Sequence, residues 1–200
     1  MSVLGLLYGV AMALQVVFVV LALAATRLAG ATVKEVTLGM PGLLPFSVGS
    51  TRIKVGPIPS AGLDMVDFEK LSLSKQLLVR LGPWIVQLAI AVTLLGPGDA
   101  MRSFVNAFGE VLSLGNATVR AEHALAFLEH APPVTMLGVV LTKVVAFNLL
   151  PFPGLAGGQI VNDVVFGSRG KQPPAAWMVL GLLCSLAISI WWLVAFIRAL

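Results

Sequence analysis

The stretch that decides the fold opens the chain: Val3-Leu-Gly-Leu-Leu-Tyr-Gly-Val-Ala-Met-Ala-Leu-Gln-Val-Val-Phe-Val-Val-Leu-Ala-Leu-Ala-Ala25. It holds no charged residue, and Gln15 is its most polar side chain. At about 1.5 Å per residue, a helix over 3–25 is roughly 34 Å long, enough to cross a hydrocarbon layer of about 30 Å with some tilt. Inside lipid every backbone polar group must be satisfied within the chain, which leaves helices or a closed barrel. The run is continuously apolar and does not alternate, so it reads as a helix. It lacks a basic leading region and a small-residue cleavage site before Arg27, so it is expected to be retained rather than removed as a signal peptide.

Three further runs have the same character. They cover about residues 77–95, 134–150 and 175–197. Arg80 near the start of the second can reach back to the interface, and Gly82-Pro83 sits where an early kink is tolerated. The third contains Lys143, and the fourth carries Trp191 and Trp192 near its end as interfacial anchors. The composition agrees: 58% of the 200 residues are apolar and 11% charged, against about 25% charged in a soluble domain. The fold class expected is therefore an all-α integral membrane domain over 1–200, with about four transmembrane helices.

The net charge of +4 is spread out, with no basic stripe interleaved with aromatics, so nucleic acid is not an expected partner. Its distribution speaks instead to topology. The loop 27–76 and the start of the second run hold seven basic residues: Arg27, Lys34, Arg52, Lys54, Lys70, Lys75 and Arg80. The third connection adds Arg169 and Lys171. The second, 99–130, holds only Arg102 and Arg120 against four acids. Loops rich in Lys and Arg stay in the cytoplasm, so the first and third connections are expected there and 99–130 on the other side. The single cysteine, Cys184, excludes a disulfide within the chain and tells nothing of redox compartment.

Within the first loop, Val33 to Leu38 is a candidate strand. Thr51-Arg-Ile-Lys-Val55 alternates polar and apolar as a half-buried strand does. Pro41-Gly42 and Val48-Gly49-Ser50 supply turns. A small membrane-associated β-hairpin is expected, broken by Pro57 to Gly62 and followed by a polar linker or interfacial helix from Asp64 to Ser74. In 99–130, Phe104, Phe108, Val111 and Leu112 recur at helical spacing, as on an amphipathic helix lying on the membrane surface.

The segment Asn148-Leu-Leu-Pro-Phe-Pro-Gly-Leu-Ala-Gly-Gly-Gln159 resembles the N-L-L-P-x-P-x-L-D-G-G signature of the site-2 protease family of intramembrane zinc metalloproteases. Other stretches follow in family order. Val36-Thr37-Leu38-Gly39 resembles the segment after the family's first helix, Ile58-Pro59-Ser60-Ala61-Gly62 its I-P-x-G-G turn, and Gly82-Pro83 the start of its second core helix. The resemblance covers roughly residues 10–195 and implies the family's helical frame.

That family's zinc site needs H-E-x-x-H on the first helix. Two imidazoles at i and i+4 share one face and bind zinc, and the glutamate is the general base. The corresponding positions here are Phe18-Val19-Val20-Leu21-Ala22. The third ligand, the aspartate of L-D-G, corresponds to Ala156, and the asparagine of G-P-x-x-N to Val86. No catalytic residue, metal ligand or cofactor is therefore expected; Phe18, Val19, Ala22 and Ala156 are degenerate positions. His123 and His130, each preceded by a glutamate, lie seven residues apart, a poor chelating spacing, and read as a solvated helix face. No G-x-S-x-G elbow is present.

What survives could still bind. In the resembling family, the asparagine and the segment after it help hold a substrate strand, which makes Asn148, Pro151, Pro153, Gly157 and Gly158 the candidate binding residues. The plainer alternative is that Asn148 caps its own helix and the glycines permit a tight bend. Lys143, deep in a span, marks either a contact with a partner protein, an internal pair or a snorkelling side chain. The reading reached is an inactive relative of site-2 proteases in the bacterial inner membrane. It would be a scaffold, a regulator or a stable subunit of a complex with other membrane proteins. A transport or secretion component on the same frame, and a membrane enzyme with an unrecognised site, stay open as alternatives.

Overall fold

A computed structural model describes residues 3–166 and 174–199; Arg169 and Lys171 lie outside them. Residues up to Val86 form one compact unit and those from Gln87 a second.

In the first unit, α1 (Val3–Ala29) leads into four strands, β1 (Thr32–Met40), β2 (Leu44–Val48), β3 (Thr51–Val55) and β4 (Ile58–Val66). The sheet order is β2-β3-β1-β4. The two candidate strands, 33–38 and 51–55, fall in β1 and β3, which lie parallel and so do not make a hairpin with each other; the antiparallel hairpin, around Gly49 with Phe46 opposite Ile53, is made by β3 with the unexpected β2. The expectation of a hairpin alone is also too small. β3 inserts beside β1 in parallel, Val36 opposite Ile53, and β4 runs antiparallel along the other side of β1. β4 continues to Val66, through the start of the expected linker, and a short 3₁₀ turn at Phe68–Lys70 follows. Pro57, Pro59 and Gly62 read as breakers, yet β4 sits at a sheet edge, where proline costs no ladder bond. Val19 of α1 is buried with Val33 and Val36 of β1, and Phe18, Leu23, Leu38, Ile53, Leu63 and Met65 close around them. The sheet is thus bound to the membrane helix by hydrocarbon.

α2 (Leu73–Leu95) runs from the first unit into the second. The second unit continues with α3 (Pro97–Leu112), α4 (Ala117–His130), α5 (Pro133–Asn148), α6 (Ala156–Val161), which widens into a π turn at Asn162–Phe166, and α7 (Ala175–Ala199). The connection 99–130 is thus two helices. α3 packs on α5, and α4 on α7.

Among the described residues, three helices are long and apolar enough to cross a bilayer: Tyr8–Ala29, Leu73–Leu95 and Ala175–Ala199. The fourth expected span corresponds to α5, which has 16 residues. At about 1.5 Å per residue it reaches roughly 24 Å, short of a hydrocarbon layer of about 30 Å.

Candidate functional site

The degenerate positions of the first unit lie where α1 meets the sheet and the first half of α2. Phe18 faces Trp84 of α2 with ring centroids 4.6 Å apart. Val19 and Ala22 are 4% and 3% exposed. One turn on, Thr26 is fully buried and donates to the Ala22 carbonyl at 2.7 Å, with the Met65 sulfur at 3.6 Å from the same hydroxyl. Gly82 follows the same close approach: a Cβ there would touch the Ala25 methyl at 3.6 Å. Hydrocarbon fills the places where the resemblance puts two imidazoles and a carboxylate. A phenyl ring packed on an indole offers no lone pair to zinc, and the donor set does not fit the metal. Among the described residues no three His, Cys, Asp or Glu side chains are grouped to hold an ion.

In the second unit the Asn148 motif folds into a tight reversal. Asn148 Nδ2 donates to the Val144 carbonyl at 2.9 Å, so the side chain binds its own helix end. Pro151 and Pro153 interrupt the backbone ladder, leaving Phe152 N–H to Leu150 O at 2.8 Å and Leu155 N–H to Phe152 O at 3.0 Å. Gly154 takes φ +98°, a value side chains avoid. The chain then turns back so closely that a Cβ on Gly157 would run into the carbonyls of Leu149 and Leu150, and one on Gly158 into that of Phe152. Ala156 opens α6 at this bend. The π turn beyond it places Asn162 Oδ1 to accept from Trp177 Nε1 of α7 at 2.9 Å. A π turn inside a helix often marks a functional position.

The structure thus brings Asn148, Pro151, Pro153, Ala156, Gly157 and Gly158 into one bend. Phe18, Val19 and Ala22 come together separately on α1. Lys143 lies on α5 more than one turn before the bend, and its partner is Glu110 of α3. An internal carboxylate therefore exists for it, one that the sequence pattern puts in a connection outside the spans.

Two residues of the second unit carry no local signal strong enough to single them out. Gly181 of α7 lies under Pro153, whose ring leaves no room for a Cβ there. Gln87 of α2 is 1% exposed, and neither its amide nitrogen nor its oxygen has a partner among the described residues. It shares a helix face with Trp84, three residues earlier, whereas Val86, at the place of the family's asparagine, is 41% exposed. A lone glutamine in an apolar span is the one signal that could have found it.

A family model described as peptidase family M50, the site-2 protease family, matches residues 21–191. The match begins inside the pentad 18–22 and includes the whole Asn148 bend. No curated protein and no solved structure matches the chain.

Proposed function

The chain belongs to peptidase family M50, and from that premise we propose that it holds polypeptide without cutting it. In this reading it is a scaffold, a regulator or a stable subunit for other membrane proteins, in the bacterial inner membrane with its sheet on the cytoplasmic face. The observation that carries the reading is the contact of Phe18 with Trp84, with Val19 and Ala22 buried beside it. The metal positions hold packing residues, while the frame around them keeps the family's bends.

A peptide is held in this reading as an added strand. Strand addition draws its affinity from main-chain hydrogen bonds and so does not need catalytic side chains. The sheet ends in β2 and β4. Each of these strands holds one proline, Pro45 in β2 and Pro59 in β4, but β2 is five residues long and β4 nine, so β4 offers the longer row of main-chain groups. β4 is the better edge. The seven basic residues up to Arg80 support the cytoplasmic assignment.

The test is purification from the native membrane in mild detergent. A full-length membrane protein recovered in stoichiometric amount supports the reading. Recovery of the chain alone, or with a companion cut within its span, overturns it.

A further inference from the structure

α5 poses a physical problem. It is 16 residues long and carries Lys143 well inside it. A lysine deep in a span is costly to bring into the hydrocarbon layer without a counter-charge. Glu110 poses the matching one. It stands in the last turn of α3, where the helix dipole disfavours a carboxylate. The structure joins the two: Lys143 Nζ donates to Glu110 Oε2 in an ion pair. A second polar contact runs alongside. Thr142 donates to its own Val139 carbonyl at 2.8 Å, which leaves the Ser103 hydroxyl to donate to Thr142 Oγ1 at 2.6 Å. Thr142 and the Ala107 methyl of α3 are fully buried.

The outward faces of α3 and α4 differ in kind. α3 turns Met101, Val105 and Leu112 outward, each more than half exposed, with exposed Arg102 and Asn106 along one side of that stripe. α4 turns Glu122, His123, Glu129 and His130 outward, and packs inward through Ala117 and Ala121 on Ala195 of α7. Trp192 of α7 donates to the Val111 carbonyl at 3.0 Å, which fixes the end of α3 to the same helix. An apolar outer stripe of this kind belongs in lipid, and a face of carboxylates and imidazoles belongs in water.

We infer that α3 and α5 enter the bilayer as one unit, neutralised by the Lys143–Glu110 pair, with the Met101–Val105–Leu112 stripe in acyl chains and α4 as its aqueous cap. The fourth membrane element is then a helix pair, and α5 does not insert alone. The pair also explains how a 16-residue helix carries a lysine: the counter-charge enters with it, and the Ser103 hydroxyl joins α3 to α5 at Thr142, the residue next to Lys143.

Two measurements on the full chain test this. In sealed native membranes, Val105→Cys should react with an impermeant maleimide at least about tenfold more slowly than His123→Cys. Equal rates would place α3 in water and overturn the inference. In detergent-solubilised protein, Glu110→Gln and Lys143→Met should each lower the thermal midpoint by about 5 °C, since each strands a charge away from bulk water. Glu110→Gln combined with Lys143→Met should regain most of that loss. A double variant that loses the sum of the two single effects overturns the coupling. Where a single variant fails to accumulate, recovery of the double variant supports the inference and its failure to recover overturns it.

Discussion

Pro153 in the bend after α5 rests on the bare backbone of Gly181 in α7, so closely that a single methyl group on Gly181 would collide with the proline ring. This contact ties the Asn148 bend to an apolar helix nearly thirty residues further on. It also makes one glycine within a membrane span a structural requirement.

Gly181→Ala should therefore destabilise the protein, although alanine is the better helix former by about 1 kcal/mol. Overpacking of this kind costs about 1–3 kcal/mol. Pro153→Ala removes the ring, so the loss should shrink in the double variant, a coupling read from thermal unfolding in detergent. Additive effects would mean that the two residues do not touch.

Gly157→Ala and Gly158→Ala should cost at least as much, at the upper end of about 1–3 kcal/mol, because the obstacles are backbone carbonyls that cannot rotate away. Gly109→Ala serves as the contrast. A methyl group added to Gly109 on α3 would meet nothing within 4 Å, so this change should be neutral or stabilise the protein by up to about 1 kcal/mol. Equal losses at all three sites would contradict the tight bend.

Gln87→Leu should raise stability. A buried amide with neither group bonded costs about 1–3 kcal/mol, and an apolar side chain of similar size removes that cost. A rise in the unfolding midpoint checks it. A fall would show that the amide has a partner in the folded protein, such as bound water.

The basic residues predict opposite faces for Ser50, in the β2–β3 turn, and His123, on the outer face of α4. An impermeant maleimide added to intact cells should label His123→Cys and leave Ser50→Cys unmodified until the membrane is opened. Labelling of Ser50→Cys from outside would reverse the topology.

Run length alone makes α1, α2 and α7 legible, because about nineteen or more largely apolar residues in a row have few folds open to them. The Asn148 bend is legible from its prolines and paired glycines. The sheet is legible only where side chains alternate between core and surface, which picks out β1 and β3. β2 is exposed along its whole length and β4 carries Pro59 and Gly62, so neither shows the pattern. Contacts distant in sequence are not legible. Glu110 stands 33 residues from Lys143, and no local pattern marks a carboxylate in an amphipathic helix as the counter-ion of a later span. Gly181 and Gln87 are single residues in apolar runs, meaningful only once their neighbours are known.

The most direct test of a member of this family that holds polypeptide without zinc chemistry is the metal content of the purified chain. Phe18, Val19, Ala22 and Ala156 offer no donor, and a catalytic zinc needs three protein ligands and a water. Elemental analysis after brief dialysis should find far less than one zinc per chain, with the same thermal midpoint before and after chelator. One zinc per chain that survives dialysis, and a midpoint that falls when chelator removes it, would contradict the proposal.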